Sequence, residues 1–317
     1  MNSNRNKPIR LKPRNSKMKA TWEYNLTLTG LCIPGLICLL LFNYAPMFGA
    51  VIAFKKYHPL KGIFASPWVG FDNFKFFFTS QDALRVIRNT VSYAVAFLIL
   101  DLVIGVLVAI FLYNLKHQAS LKVYHTIILI PRFISIIIIA YMVYGFLSPT
   151  RGVLNRIIEA LGGTGVSWYT NPAYWPWILT FVHIWAGLGA GCLYYYAALT
   201  GMDPALMEAA EIDGASSIQK MWYIAIPELI PIMVMLTILG IGGIFSGDMG
   251  LFYNVPRNTG ILYETTDIIN TYTYRALLDG SLAKSAAVGL FQSVVGLVLV
   301  VVTNTIVRKV SPENSMF

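Results

Sequence analysis

Residues 203–227 read DPALMEAAEIDGASSIQKMWYIAIP, an island of small and charged residues between two long apolar stretches. Its local chemistry is unusually well specified. Asp203 is placed to cap the first free N–H groups of a helix, and Pro204 suits that helix's first turn. Gly214 ends it. Ser216 with Gln219 three residues on is a capping-box spacing, which predicts a second helix running into Trp222 and stopping or bending near Pro227. On the first helix Ala205, Ala209 and Ile212 share a face, with Glu208 and Glu211 beside it. Such a small-residue surface edged with acid suits close, helix-in-groove recognition of a basic partner. The plain alternative is an interfacial helix that only closes a loop.

Outward from this island the chain is apolar. Of 317 residues, 56% are hydrophobic and 12% charged, against roughly 25% charged in soluble domains. Mean hydropathy is +0.61. These values exclude a cytosolic enzyme, a nucleic-acid-binding module and a disordered scaffold. The net charge of +9 is concentrated in a tail with seven cations in the first nineteen residues, which suits a lipid surface. Cys32, Cys38 and Cys192 lie inside apolar runs without paired or metal-ligand spacing and read as small core residues.

Six apolar stretches are candidate spans: 24–54, 89–115 with Asp101, 123–150 with Arg132, about 177–200, 229–247 and 285–307. The first is too long for a signal-peptide core and ends without a small-residue cleavage pattern, so it is predicted to stay as a helix. With the N-terminus inside, segments 1–22, 115–122, 201–222 and 308–317 carry 12 Lys and Arg in 62 residues. The outer segments 48–89, 148–176 and 246–284 carry 11 in 110. Density is nearly twice as high inside, which places both termini in the cytoplasm. Segments 68–80 and 152–162 read as short interfacial helices. The expected architecture is an all-α polytopic membrane protein of six helices: a basic tail at 1–22, a transmembrane domain at 23–310 holding the 203–227 loop, and a C-terminal tail at 311–317, with no internal repeat.

Glu208-Ala209-Ala210, then Gly214, Ile224 and Pro227 resemble, at every spacing, the EAA-x3-G-x9-I-x-L-P loop of the permeases of binding-protein-dependent ABC importers; Ile226 replaces the family's Leu. Tyr44 to Gly49 leading to Ile52-Ala53-Phe54, Trp68 to Phe74, and Pro131 to Ser135 narrow the resemblance to the maltose-permease-like, oligosaccharide-importing branch and its polysaccharide subgroup. It runs from about residue 25 to the C-terminus. The resemblance implies a subunit of the bacterial inner membrane paired with a second, similar permease in a heterodimer, two cytoplasmic ATPase subunits and an external solute-binding protein. It also implies that Ala205, Glu208, Ala209, Ala210, Glu211, Asp213 and Gly214 dock the ATPase. ATP and Mg would be bound by that partner, leaving no cofactor in this chain.

Other chemistry finds little support. The stretch nearest to a phosphate-binding loop, Ala283-Lys284-Ser285, has Leu278 and Ala283 where glycines are required. His58, His117, His125 and His183 have no metal-binding spacing, and no HExxH or GxSxG is present. An ion-coupled carrier or channel remains the alternative class, supported only by Asp101 and Arg132; a non-carbohydrate importer is the alternative within the class. Those two charges sit at depths differing by roughly 6 Å, so an ion pair between them is one reading, and an Arg132 facing the cargo is the other. Aromatic rings stack on sugar faces, and glycines let backbone approach a ligand. The candidate pathway residues are therefore Arg132, His183, Trp185, Tyr195, Gly242 and Gly243.

Overall fold

The computed structural model describes residues 28–115 and 117–314, and among these every extended element is helical. The basic tail at 1–22 and the end of the C-terminal tail lie outside the described residues. In chain order the helices of six residues or more are α1 (Leu28–Phe54), α2 (Asp72–Thr79), α3 (Gln81–Tyr113), α4 (Gln118–Phe133), α5 (Ile136–Leu147), α6 (Val153–Ala160), α7 (Pro172–Gly201), α8 (Pro204–Ile212), α9 (Ser217–Gly242), α10 (Met249–Asn254), α11 (Ile269–Leu278) and α12 (Leu282–Val310). By length and composition α1, α3, α7, α9 and α12 can each cross a membrane, and α4 with α5 makes a sixth, bent span. The short α2 and α6 coincide with the two expected interfacial segments.

Two helices depart from expectation. The third span is not the single helix 123–150: it turns by 97° between α4 and α5. Pro131 lacks the N–H that would continue the ladder, Ile134 is extended, and α5 restarts after Ser135. The short helix expected to stop or bend near Pro227 does not stop there but continues into the fifth span. It runs unbroken from Ser217 to Gly242, because Met221–Ala225 form a π-turn in which the Ile226 N–H reaches back to the Met221 carbonyl. A widened turn accommodates a proline that would otherwise clash with the preceding turn. The same device occurs in α1, where the π-turn Leu40–Tyr44 precedes Pro46.

The bundle's centre is the α3–α7 pair, which meets closely at Gly105, where a Cβ would stand 2.9 Å from the Tyr195 ring. Gly189 of α7 admits the backbone of α4 at Ile128 and Leu129, so the bent span rests on main chain rather than on side chains. One apolar cluster (Trp175, Leu179, Ile139, Phe252, Leu262) fills the end away from α8. Another (Val106, Ile110, Tyr195, Leu199, Ala225, Leu229) lies toward α8. Phe77 of α2 is buried against Val86, Ile269 and Val288.

The end opposite α8 is locked by polar groups. The Asp267 side chain, wholly buried, receives Arg275 at 2.6 and 2.7 Å, Thr271 at 2.8 Å and Arg85 at 3.3 Å. Asn89 donates to the Glu264 and Asp267 carbonyls, Tyr93 to that of Thr265, and the Ile269 N–H to Thr90. Together these join α3 to the segment entering α11. Tyr169 in the same region donates to the Val255 carbonyl, and burial pushes its phenol up to about 12, so it stays a donor at neutral pH.

Candidate functional site

The 203–227 loop is built by local capping. Asp203 accepts from the Ala205 N–H at 3.0 Å, starting α8. At its end the Ala215 N–H reaches the Ala210 carbonyl at 2.9 Å and the Gly214 N–H reaches that of Glu211 at 3.1 Å, with Gly214 at φ +76°. This is a Schellman termination, which places its left-handed residue at Gly214. Ser216 and Gln219 form the expected capping box at 2.7 and 3.3 Å. Lys220 bonds Glu211 at 3.1 Å, tying α8 to the start of α9.

Only one side of α8 is anchored: Met207 packs on the cluster around Leu199 and Leu229, and the preceding Met202 is buried. Ala205, Glu208, Ala209, Glu211, Asp213 and Gly214 are exposed and Ala210 half-buried. Ile212 is 86% exposed, and Ile218, Trp222 and Tyr223 continue this apolar surface along α9. Large side chains gathered this way on an otherwise polar loop form an apolar surface of the kind that meets another protein or the membrane interface.

The second site lies at the break in the third span. A cleft of about 370 Å³ is lined by Arg132, Asp101, His183, Tyr194, Tyr195 and Gly240, among others. A second cavity of about 230 Å³ shares Asp101, His183 and Gly240 and extends to Gly243, Ser246 and Asp248. Arg132 lines the cleft without the Asp101 ion pair considered from sequence, and it has no acidic partner among the described residues. Asp101 instead meets His183 Nε2 at 3.1 Å, and the imidazole stacks on Phe97 with ring centres 3.8 Å apart. A carboxylate only accepts, so this contact places the proton on Nε2. Irregular backbone at membrane depth is tolerated where it borders a cavity, and here it presents a cation to that cavity.

The sequence-selected pathway residues divide. Arg132, His183 and Tyr195 line the first cleft and Gly243 the second. Gly242 is occupied elsewhere, in contact with Val300 and opposite Gly296, where it lets α9 and α12 approach. Trp185 faces the other side of α7, in an apolar groove with Trp177 and Phe181. Tyr194 and Gly240, which belong to the same aromatic run and glycine cluster of the sequence, also line the first cleft, whereas sequence reasoning left out Asp101 as the partner of His183, which is 82 residues away along the chain. No group of three or more metal-ligating side chains occurs among the described residues.

Residues 101–313 match the family model of the binding-protein-dependent transport system inner membrane component. This chain belongs to that family. It is 34% identical over 284 residues to Protein LplB of Bacillus subtilis, covering 89% of each chain. To the polygalacturonan/rhamnogalacturonan transport system permease protein YteP of the same organism it is 34% identical over 282 residues, covering 89% of this chain and 87% of that one. A crystal structure of a bacterial ABC transporter involved in import of the acidic polysaccharide alginate contains a chain that superposes with a TM-score of 0.83 at 31% identity, covering 93% of this chain and 99% of that one. A second structure, of the alginate transporter bound to a periplasmic protein carrying alginate pentasaccharide, gives 0.82 at 31% identity, covering 95% and 99%. The protein is thus a multi-pass permease subunit of a binding-protein-dependent ABC importer, a transport component and not an enzyme. The all-α permease fold expected from sequence is borne out.

Proposed function

We propose that this permease forms half of the translocation pathway for an acidic, uronate-containing oligosaccharide. The observation that carries the reading is Arg132, a cation without an acidic partner among the described residues, held in the midspan cleft by the break in the third span. Arg132 is exposed to the cleft, and a cation at membrane depth favours an anionic or hydrogen-bonding partner, which a cargo carboxylate can supply through paired N–H donors. Asp101, His183 and Tyr194 add hydrogen-bonding groups for hydroxyls and a ring face for stacking. The relatives named for polygalacturonan/rhamnogalacturonan and alginate point the same way.

In this reading α8 faces the cytoplasm and docks an ATPase subunit through Ala205, Glu208, Ala209, Ala210, Glu211, Asp213 and Gly214. ATP and Mg are bound by that partner. Closure of the ATPase pair pulls on α8, rocks α9 through the capping box and the Lys220–Glu211 pair, and exposes the cleft alternately to the two sides. A second, distinct permease supplies the other half, and an external binding protein delivers cargo to the end locked by Asp267.

The test is uptake by proteoliposomes holding the assembled importer and its binding protein, offered tetragalacturonate or maltotetraose. The expected result is ATP-dependent uptake of the acid in preference to the neutral sugar, with Arg132→Gln losing that preference. Preference for maltotetraose overturns the acidic reading, and uptake of neither overturns the carbohydrate reading.

A further inference from the structure

Away from the midspan cleft, a separate cavity of about 350 Å³ opens between α5 and the segment following α10, lined by Tyr141, Tyr253, Asn254, Arg257 and Asn258 together with Ile137 and Ala140. Arg257 and Asn258 are the two non-glycine residues with positive φ among the described residues, at 58° and 47°. Each conformation disfavours an L side chain, and a glycine at either position would remove the strain. The surroundings hold them there. Val255 and Pro256 are buried, the Asn258 N–H bonds the Tyr253 carbonyl at 3.0 Å, and Tyr263 donates to Asn258 Oδ1 at 2.8 Å.

The strained turn places a charge where local chemistry does not require one. The Arg257 guanidinium lies 4.2 Å from the centre of the Tyr144 ring and has no acidic partner among the described residues. Stacking on a ring leaves its edge N–H groups available. Asn254 spends its amide N–H on the Gly250 carbonyl, leaving its oxygen as an acceptor, while Asn258 keeps its amide N–H groups as donors. Two tyrosines, an acceptor, a donor and a fixed cation around one cavity form the set that a carboxylated sugar ring would satisfy. Tyr141 stands on α5 about 7 Å outward of Ile136, where that helix restarts beyond Arg132.

We propose that this cavity is a second cargo subsite that takes one carboxylated pyranose unit, with Arg257 on the carboxylate, Asn254 and Asn258 on hydroxyls, and Tyr141 and Tyr253 on the ring. The proposal rests on the acidic-oligosaccharide reading above and adds a recognition point outside the Arg132 cleft. An acidic side chain of another protein is the competing occupant, and the test separates the two.

The assembled importer in proteoliposomes, at saturating binding protein, is given tetragalacturonate or its fully methyl-esterified form, which keeps the rings and hydroxyls and loses the charges. Arg257→Gln removes the cation. Arg257→Gly removes it while relieving the positive φ, so this variant keeps its fold. For both, KM for the free acid is expected to rise about tenfold, as for loss of one charge-assisted contact, with KM for the ester moving less than twofold. An equal rise for acid and ester assigns Arg257 to a protein contact and overturns the subsite, as does an unchanged acid KM in Arg257→Gly. Failure of the wild type to carry the free acid is seen before any variant is compared; it defeats the acidic-cargo reading itself and takes the subsite with it.

Discussion

Gly214 and Gly189 show two separate reasons for a residue to be glycine. At Gly214 an added Cβ meets open space, and the requirement is only the φ of +76° that closes α8. Gly214→Leu is therefore expected to disorder the loop and abolish ATP-coupled uptake with membrane insertion intact. Gly214→Asn, which tolerates the left-handed region, should keep most of the uptake. Glu208→Ala, on the exposed acidic edge, should lower uptake and ATPase copurification together without changing the amount of inserted protein; wild-type levels of both would remove α8 from the docking surface. At Gly189 the limit is space, since a Cβ would run into the Ile128 carbonyl and stand 2.9 Å from Leu129 Cα. Gly189→Ala should destabilise the permease by about 1 to 3 kcal/mol, read as a lowered melting temperature, because main chain rather than a pliable side chain has to move.

The bent third span carries the coupling between local sequence and the site. Pro131 opens the helix, Ile134 goes extended, and Arg132 between them reaches the cleft. Pro131→Ala restores an N–H to the ladder and favours a straighter helix, which would withdraw Arg132 from the cavity. Uptake is expected to fall about tenfold, a loss of roughly 1.4 kcal/mol of productive interaction, without loss of folded protein; unchanged uptake would show that the bend does not position Arg132. This element also marks how far the sequence could be read. The caps at Asp203, Gly214 and Ser216 were legible because each bond spans two to five residues. Pro131 went unread as a break within the 123–150 span, and the 97° turn also involves Gly189 receiving Ile128 from another span. Of the stop or bend expected near Pro227, the stop does not occur, because the π-turn before it admits the proline. The Asp101–His183 pair and the Arg257 cavity join residues far apart in the chain, which periodicity cannot register.

Across the whole molecule the two ends differ in kind. The end opposite α8 is held by the buried Asp267 network, whereas the α8 end presents Ile212, Ile218, Trp222 and Tyr223 uncovered. A rigid end and an end awaiting a partner suit a bundle that is pulled from one side. Arg275→Met leaves Asp267 with the Thr271 hydroxyl at 2.8 Å and, as its remaining charged partner, the longer Arg85 contact at 3.3 Å, and should destabilise the permease by about 3 to 5 kcal/mol, because a charge in a fully buried position loses its principal partner. The proposed orientation of the two ends rests on the denser Lys and Arg in the segments on the α8 side, and under that proposal the α8 end would meet the ATPase and the other end the binding protein. With Cys32 and Cys38 replaced by serine and buried Cys192 kept, Ile261→Cys and Ser217→Cys each offer one exposed thiol, on opposite ends. A membrane-impermeant maleimide applied to spheroplasts should label position 261 and leave position 217 unlabelled until the membrane is opened. The reverse pattern would put α8 outside, where no ATP-driven partner could reach it, and would overturn the docking role together with the direction of transport.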